Sequence, residues 1–218
     1  MIKRYIDAGT TWTKILEIQD EKKEYKVIST AEFRKLNLDY EKSTGHSLDK
    51  IKNKYENEVV ALSYGAKKYL EDDFIALDLG SRDIKYVKFQ NKKFKDMDWN
   101  ASCASATGAT VEMLLKFYDV DIKNLKYTPE KYAVTCGIFG LEKIMDDVSK
   151  GLSPEIAISK FIHGLAYNAY NFTKNPEKIC ISGGFCENDC FIESLKQYCE
   201  VLPLGRFILV DGLLEMEN

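Results

Sequence analysis

Residues 6–18 read IDAGTTWTKILEI and residues 77–89 read LDLGSRDIKYVKF, so one pattern occurs twice in the chain. In each copy an apolar segment enters a glycine turn and a second apolar segment leaves it, which is typical of a β-hairpin. Two similar hairpins predict two similar lobes that face a cleft. The shared positions are Asp7, Gly9, Thr10 and Lys14 in the first copy and Asp78, Gly80, Ser81 and Lys85 in the second.

The shared pattern, DxG[ST]xxxK, has the groups that bind a phosphate together with a metal ion. Glycine lets the backbone approach a phosphate closely, the N–H groups and hydroxyls of the turn point into it, and an aspartate at a strand end holds Mg²⁺ directly or through water. Lysine balances the anion. The same residue types also fill ordinary turns, so one copy alone favours simple turn chemistry, whereas two matching copies favour a phosphate site.

A third element is ICISGGFCEN at residues 179–188. A short β-branched strand runs into Gly183 and Gly184, and Phe191, Leu195 and Tyr198 then recur at helical spacing. Paired glycines allow a flat ligand to lie against bare backbone. Many strand–helix connections use glycine for packing alone, so this element becomes informative only because it follows the two hairpins.

Four stretches have the spacing of amphipathic helices. The first is predicted from Ser47 and carries Leu48, Ile51, Tyr55, Val59 and Leu62, the second begins near Thr107, the third follows Cys136 and stops at Gly151, and the fourth has Ser153 as N-cap and Pro154 at its first position. Strands and helices alternate, so the predicted class is α/β.

Composition limits the function. The chain has 218 residues, 45% hydrophobic and 30% charged, and a formal net charge of −3. Lysines are interspersed with acidic residues, so nucleic acid is not an expected partner. We expect no membrane segment and a cytoplasmic location, because the sequence has no apolar run of about 18 residues and its N-terminus lacks the apolar core of a signal peptide.

Two DxG[ST] hairpins followed by a strand–GG element resemble the actin-like ATPase superfamily, which includes acetate and sugar kinases and Hsp70. Three segments narrow the resemblance to the activator ATPases of 2-hydroxyacyl-CoA dehydratases, a family that also contains ATPase subunits of benzoyl-CoA reductase. MDWNASCASATGATVEMLL at 97–115 is similar to the family's "CAAGTG" segment, VTCGIFGLEKIMDDVSKG at 134–151 to its "CTVFAESEV" segment, and ISGGFCEN at 181–188 to its "TGGVAxN".

The resemblance implies an actin-like (ribonuclease H-like) fold with two lobes around a nucleotide cleft. The first lobe would be an abbreviated one at residues 1–73. The second, at 74–218, would carry the cysteines, and its C-terminal segment is able to return to the first lobe.

The resemblance also implies a homodimer that shares one [4Fe–4S] cluster, with Cys103 and Cys136 of each chain as ligands. Such a cluster usually takes four thiolates, which two cysteines per chain supply only where two chains meet. Both cysteines precede predicted helices, whose N-terminal half-charge favours thiolates. The alternative is that both are small buried residues. Cys180, Cys186, Cys190 and Cys199 have no counterpart in the family pattern. Cys186 and Cys190 lie one helical turn apart, which allows metal binding, but core packing or incidental surface thiols are favoured.

The implied roles follow the matched motifs. ATP and Mg²⁺ would bind in the cleft, with the carboxylates Asp7 and Asp78 as the catalytic residues. Asp7 would orient Mg²⁺ and its water, and Asp78 would belong to the clamp on the opposite side. Glu58 matches a family glutamate, but it is equally compatible with a solvated charge. The nucleotide-binding set would be Gly9, Thr10, Thr11 and Lys14 at the terminal phosphates, Gly80 and Ser81 in the opposing clamp, and Gly183, Gly184 and Asn188 on the adenosine side.

Several positions depart from the family pattern. The family's second hairpin reads "DIGGQDxK", whereas this chain has Ser81 and Arg82 in place of Gly and Gln. Glutamine can position an attacking water, whereas arginine can hold or block a phosphate, so nucleotide binding is a firmer expectation than hydrolysis. The first lobe reads as lacking the family's "ATGYG"-like stretch.

The function that we expect is a reductive activator that hydrolyses ATP and passes an electron from the shared cluster to an iron–sulfur dehydratase or reductase. Two other functions stay open. One is a degenerate actin-like regulator that binds nucleotide without cluster or hydrolysis, which the short first lobe favours. The other is a small-molecule kinase, which would need a base beside an acceptor pocket.

Overall fold

The structure, a computed structural model, describes residues 2–48, 51, 54–70, 73–100, 108–134 and 137–217. Two β-sheets, each with helices beside it, form the molecule, so the α/β class is confirmed. The elements are β1 (Lys3–Ala8), β2 (Trp12–Gln19), β3 (Lys22–Ser29), α1 (Thr30–Phe33), β4 (Lys42–Thr44), α2 (Glu58–Tyr69), β5 (Phe74–Leu79), β6 (Ile84–Gln90), β7 (Lys93–Asn100), α3 (Gly108–Phe117), α4 (Gly137–Ser149), α5 (Pro154–Phe172), β8 (Lys178–Ser182), α6 (Asp189–Leu195), β9 (Glu200–Gly205) and α7 (Ile208–Glu215).

The second sheet repeats the first and extends it by one strand. The strand orders are β3-β2-β1-β4 and β7-β6-β5-β8-β9. In both sheets the predicted hairpin is antiparallel, and a later strand joins its first strand in parallel. The internal repeat seen in the sequence therefore covers a larger unit than the hairpin alone.

Strand register places the repeated residues at equivalent positions. Asp7 lies opposite Lys14 in the first hairpin, and Asp78 lies opposite Lys85 in the second. Because directly opposed residues on antiparallel strands point to the same face of a sheet, each aspartate can meet the lysine of its own hairpin.

The parallel strands β4 and β8 also end alike. Thr44 lies beside Asp7, and Ser182 beside Asp78. A glycine with positive φ follows each of them, and a Cβ there would come within 2.3 Å of the Ala8 carbonyl oxygen at Gly45 and within 2.5 Å of the Leu79 oxygen at Gly183.

This correspondence corrects the expectation that the first lobe lacks an "ATGYG"-like stretch. The residues that occupy the equivalent place read STGHS at 43–47. The stretch was missed because β4 has only three residues and pairs with a strand distant in sequence.

Helices α2 and α7 lie between the two sheets. A hydrophobic cluster joins residues of both sheets to them, including Tyr5 and Leu16 from the first sheet and Ala76 and Val87 from the second. The helices approach backbone to backbone, since a Cβ at Gly65 would lie 2.0 Å from the Ile208 carbonyl oxygen and one at Gly212 would lie 1.9 Å from that of Ala61. The division of the chain at residue 73 stays a prediction.

Three of the four predicted helices are confirmed: α3 and α4 lie where predicted, and Ser153 caps α5 with Pro154 at its first position. The helix predicted from Ser47 is wrong. Ser47 instead donates its N–H to the Ala8 carbonyl, and α2 begins at Glu58 with Asn57 as N-cap. Among the described residues, no helix combines the length and apolar character that a membrane span requires.

Candidate functional site

The two hairpin turns open onto one cavity of about 360 Å³, a size typical of small-molecule sites. Thr11 and Gly183 are not among the described residues that line it, and Cys103 and Cys136 lie outside the described residues. The predicted site residues that line it are Asp7, Gly9, Thr10, Lys14, Glu58, Asp78, Gly80, Ser81, Gly184 and Asn188.

The glycine amides of both turns are used within the turns. Gly9 donates to the Trp12 carbonyl at 3.1 Å, and Gly80 donates to the Asp83 carbonyl at 3.0 Å. These bonds fix the two loops in the same way. A phosphate in the cavity would therefore have to meet other groups of the turns, such as the hydroxyl of Thr10.

In the first hairpin, Lys14 Nζ lies 2.8 Å from Asp7 Oδ2. Burial raises the pKa of Asp7 more than the neighbouring ammonium lowers it. For Lys14, burial opposes the charge, but the carboxylates of Asp7 and Asp78 hold its pKa above the ordinary value. The pair thus places a charged lysine at the cavity wall.

In the second hairpin, Lys85 is 2% exposed and contacts three carboxylates. Its Nζ lies 2.5 Å from Glu58 Oε2, 3.1 Å from Asp83 Oδ1 and 3.3 Å from Asp78 Oδ2. Burial opposes the ammonium charge, but the carboxylates, Asp78 foremost, raise the pKa of Lys85. We call Lys85 and these three carboxylates the Lys85 cluster.

Glu58 is 4% exposed, so its interpretation as a solvated charge is wrong. Burial alone would raise its pKa, but the contacts with His46 and Lys85 outweigh burial and lower the pKa to about 2. Glu58 is the first residue of α2, where a negative charge is also favoured by the helix dipole. It is therefore ionised in the fold.

Sequence reasoning missed His46 and Trp99 beside the Lys85 cluster. His46 Nδ1 lies 2.9 Å from Glu58 Oε1, and its Nε2 lies 3.9 Å from Asp83 Oδ2. The Glu58 carboxylate raises the pKa of His46. Trp99 Nε1 donates to Asp83 Oδ2 at 2.7 Å. Thr44–Gly45 in the first repeat matches Ser182–Gly183 in the second, and His46 follows directly. This match is the signal in the sequence that could have identified His46.

A hydrogen bond crosses the cavity between the two repeats. Trp12, in the turn of the first hairpin, donates from Nε1 to Glu112 Oε1 on α3 at 2.7 Å. The first turn of α3 also bonds to the second hairpin, because Ala109 donates its N–H to the Ser81 carbonyl at 3.0 Å. Helix α3 therefore connects the two turns.

The strand–GG element lines the side of the cavity formed by the second sheet. Gly183 packs under the end of β5, and Asn188 Oδ1 accepts from the N–H of Phe191 as the N-cap of α6. Arg206 Nε, after β9, lies 3.1 Å from Glu187 Oε1. This side of the cavity is therefore shaped by backbone and by one ion pair.

Arg82 is exposed and lines the cavity beside the second turn. Among the described residues, it is the cavity's cation without a carboxylate within ion-pair distance, whereas Lys14, Lys85 and Arg206 are all paired. It is thus the cation at this site that a bound anion can reach without breaking an ion pair.

Three cysteines without a counterpart in the family pattern are core residues. Cys180, Cys186 and Cys190 are buried, and the last two belong to the hydrophobic core of the second sheet. Burial raises the pKa of Cys180 to about 11 and that of Cys186 to about 12. Burial in the core therefore confirms the core-packing interpretation of Cys186 and Cys190. Cys199 is partly buried.

No protein-family model matches the chain. An uncharacterized protein of Methanocaldococcus jannaschii is 24% identical over 217 residues, covering 88% of this chain and 89% of that protein. The (R)-2-hydroxyglutaryl-CoA dehydratase activating ATPase of Acidaminococcus fermentans is 23% identical over 219 residues, covering 84% and 82%.

Solved structures have the same fold. The activator of the 2-hydroxyisocaproyl-CoA dehydratase from Clostridium difficile, with bound ADPNP, superimposes with a TM-score of 0.80 at 17% identity, over 99% of this chain and 94% of that chain. The chain therefore has the actin-like ATPase fold and, in sequence and in structure, resembles the activator ATPases of 2-hydroxyacyl-CoA dehydratases.

Proposed function

We propose that this chain is an ATP-dependent activator that passes an electron from a [4Fe–4S] cluster shared between two copies to an iron–sulfur dehydratase or reductase in the cytoplasm. The observation that carries the proposal is the pair of hairpins, each with an Asp–Lys pair, that face one cavity. The relative from Acidaminococcus fermentans, named as a dehydratase activating ATPase, supports the direction of the proposal.

The cavity residues suit a nucleotide with Mg²⁺. Mg²⁺ prefers carboxylate oxygens, and Asp7 and Asp78 are buried carboxylates that line the cavity. We propose that Asp7 orients the ion and that Lys14 balances the terminal phosphates, with hydroxyls of Thr10 and Ser81 as donors. Gly184 would leave room on the adenosine side.

Cys103 and Cys136 would hold the cluster, and they lie outside the described residues. The cluster, when bound, would supply a one-electron donor. The chain's own contribution lies in the helices that follow these cysteines: α3 begins at Gly108 and α4 at Gly137. Helix α3 touches both hairpin turns through Glu112 and Ala109. A change in the distance between the turns would therefore move α3.

ATP can shift the protein only to the extent that it binds one arrangement of the lobes more tightly than another. We propose that nucleotide draws the lobes at residues 1–73 and 74–218 together. Arg82, which has no carboxylate within ion-pair distance in the part of the chain that the structure describes, would give ATP its preference for the closed arrangement.

Anaerobic purification with iron and sulfide analysis and a visible spectrum tests the proposal. We expect broad absorbance from the cluster in the dimer and its loss in Cys103→Ser and in Cys136→Ser, with the fold retained by circular dichroism. A colourless dimer that hydrolyses ATP would indicate the kinase alternative. A colourless chain that ignores ATP would indicate the regulator.

A further inference from the structure

We infer that His46, Glu58 and Asp83 form a binding site for a divalent transition-metal ion that accepts both oxygen and imidazole ligands, such as Mn²⁺. One ligand atom from each of the three residues lies within 4.8 Å of the others. This site goes beyond the proposed function, because it is distinct from the Mg²⁺ assigned above to Asp7 and Asp78 and needs neither nucleotide nor cluster.

The carboxylates of Glu58 and Asp83 are oriented toward two different partners. Glu58 directs Oε2 at Lys85 and Asp83 directs Oδ1 at it, at 2.5 and 3.1 Å. The other oxygen of each residue faces the imidazole of His46. The ammonium therefore occupies one side of the two carboxylates and leaves one oxygen of each on the opposite side.

His46 and Glu58 lie as close together as two ligands of one metal ion. Nδ1 lies 2.9 Å from Oε1, and among the described residues this buried oxygen makes no hydrogen bond of standard geometry. Two atoms that bind one metal ion at about 2.1 Å lie about 3 Å apart when they subtend a right angle. The spacing of Nδ1 and Oε1 therefore fits two ligands of one ion.

The Lys85 cluster has more carboxylates than positive charges. Glu58, Asp78 and Asp83 surround the single ammonium of Lys85, which leaves two negative charges in a buried cluster. A divalent cation bound by the imidazole of His46 and by these carboxylates would balance both of them. Uncompensated buried charge is costly, so the cluster favours the divalent ion.

The surroundings fit an open metal site. All three residues line the cavity, so the remaining coordination positions face the space where a ligand binds, as in sites that keep an exchangeable position. Trp99 donates to Asp83 Oδ2 at 2.7 Å and supports one ligand from behind.

A titration of chelator-treated protein with Mn²⁺ alone, without nucleotide, tests the site. Electron paramagnetic resonance counts the free ion, and the fluorescence of Trp99 in a Trp12→Phe background reports where the ion binds, because the His46 and Trp99 rings are 5.7 Å apart. We expect one ion per chain and a change in Trp99 emission with the same midpoint. Mn²⁺ avoids thiolates, so the cysteines do not compete.

His46→Ala and Glu58→Gln should each weaken Mn²⁺ binding by at least about tenfold, since loss of even an outer-shell partner costs that much. Glu56→Gln is the matched control, because Glu56 pairs with Lys42 outside the cavity. If Glu58→Gln does not fold, His46→Ala still tests the metal site, because His46 is exposed. Absence of a saturable site, or equal affinity in His46→Ala, would overturn the inference. Because no ATP or cluster is involved, failure here leaves the proposed activator function untouched.

Discussion

Replacing Lys85 by methionine tests the electrostatics of the cavity wall. The change keeps most of the side-chain volume but removes the charge that three carboxylates surround. His46 and Lys85 together lower the pKa of Glu58 to about 2 from 4.5, which corresponds to about 3 kcal/mol of favourable interaction, of which Lys85 supplies a part. Breaking a buried ion pair on one side costs about 3–5 kcal/mol. We therefore expect Lys85→Met to lower the free energy of unfolding by about 3 kcal/mol at neutral pH.

The pH dependence separates this charge effect from lost packing. Because the pKa of Glu58 is lowered in the fold, its stabilisation is present above 4.5 and is lost as the pH falls toward 2. The destabilisation of Lys85→Met should therefore shrink on acidification, since protonated carboxyls no longer need the ammonium. Urea unfolding followed by tryptophan fluorescence at about pH 7 and about pH 3 measures it. Lys88→Met, on the same strand but outside the cluster, is the control.

A Lys85→Met protein within about 0.5 kcal/mol of the parent at neutral pH, a difference typical of surface substitutions, would show that the ammonium does not stabilise the three carboxylates. A loss of equal size at both pH values would show the same, because packing alone would then account for the change.

Three further predictions concern the cavity. Arg82→Ala should weaken binding of Mg²⁺–ATP by about tenfold to a hundredfold in calorimetry, because a hydrogen bond to a charged group contributes about 1.5–3 kcal/mol; an unchanged Kd would contradict this. Trp12→Phe should speed amide hydrogen exchange in residues 108–117 by about twofold to tenfold, the effect of one lost hydrogen bond, and unchanged exchange would show that the bond does not hold α3. Gly183→Ala should lower the free energy of unfolding by at least about 2 kcal/mol, because its φ is 85° and its Cβ would meet a carbonyl, whereas Gly184→Ala, whose Cβ meets nothing within 4 Å, should have little effect.

The hairpins and most helices could be predicted from the sequence because their signals are local. Asp7 and Asp78 each precede a glycine turn between apolar strands, and Ser153–Pro154 carries the chemistry of a helix start within two residues. Repetition strengthened the hairpin prediction, since the same turn residues recurred in the same order. The actin-like fold followed from the order of three such elements.

The prediction of a helix from Ser47 was wrong because apolar residues with helical spacing also occur outside helices. Ile51 fits the spacing, yet it is 49% exposed. Strand β4 is held by pairing with β1 and by the contact of Gly45 with Ala8. Pairing between distant strands leaves no periodic signal in so short a segment.

The composition of the site was only partly predictable for the same reason. Its hairpin aspartates were identified from their motif, whereas His46 and Glu112 reach the cavity, and Trp99 reaches Asp83, from three different segments. Each of them is an isolated polar or aromatic residue in the sequence. Their importance arises only when β4, β7 and α3 are assembled around the hairpins.

The glycine contact between α2 and α7 restricts how the molecule can open. With the backbone of each helix pressed against the other at Gly65 and Gly212, a lateral translation would drive neighbouring side chains into carbonyl groups, whereas a small pivot about the contact would not. We therefore expect the two sheets to rotate relative to each other about the contact between α2 and α7. A rotation of a few degrees about this contact would displace the parts of the sheets that lie far from it by a much larger distance.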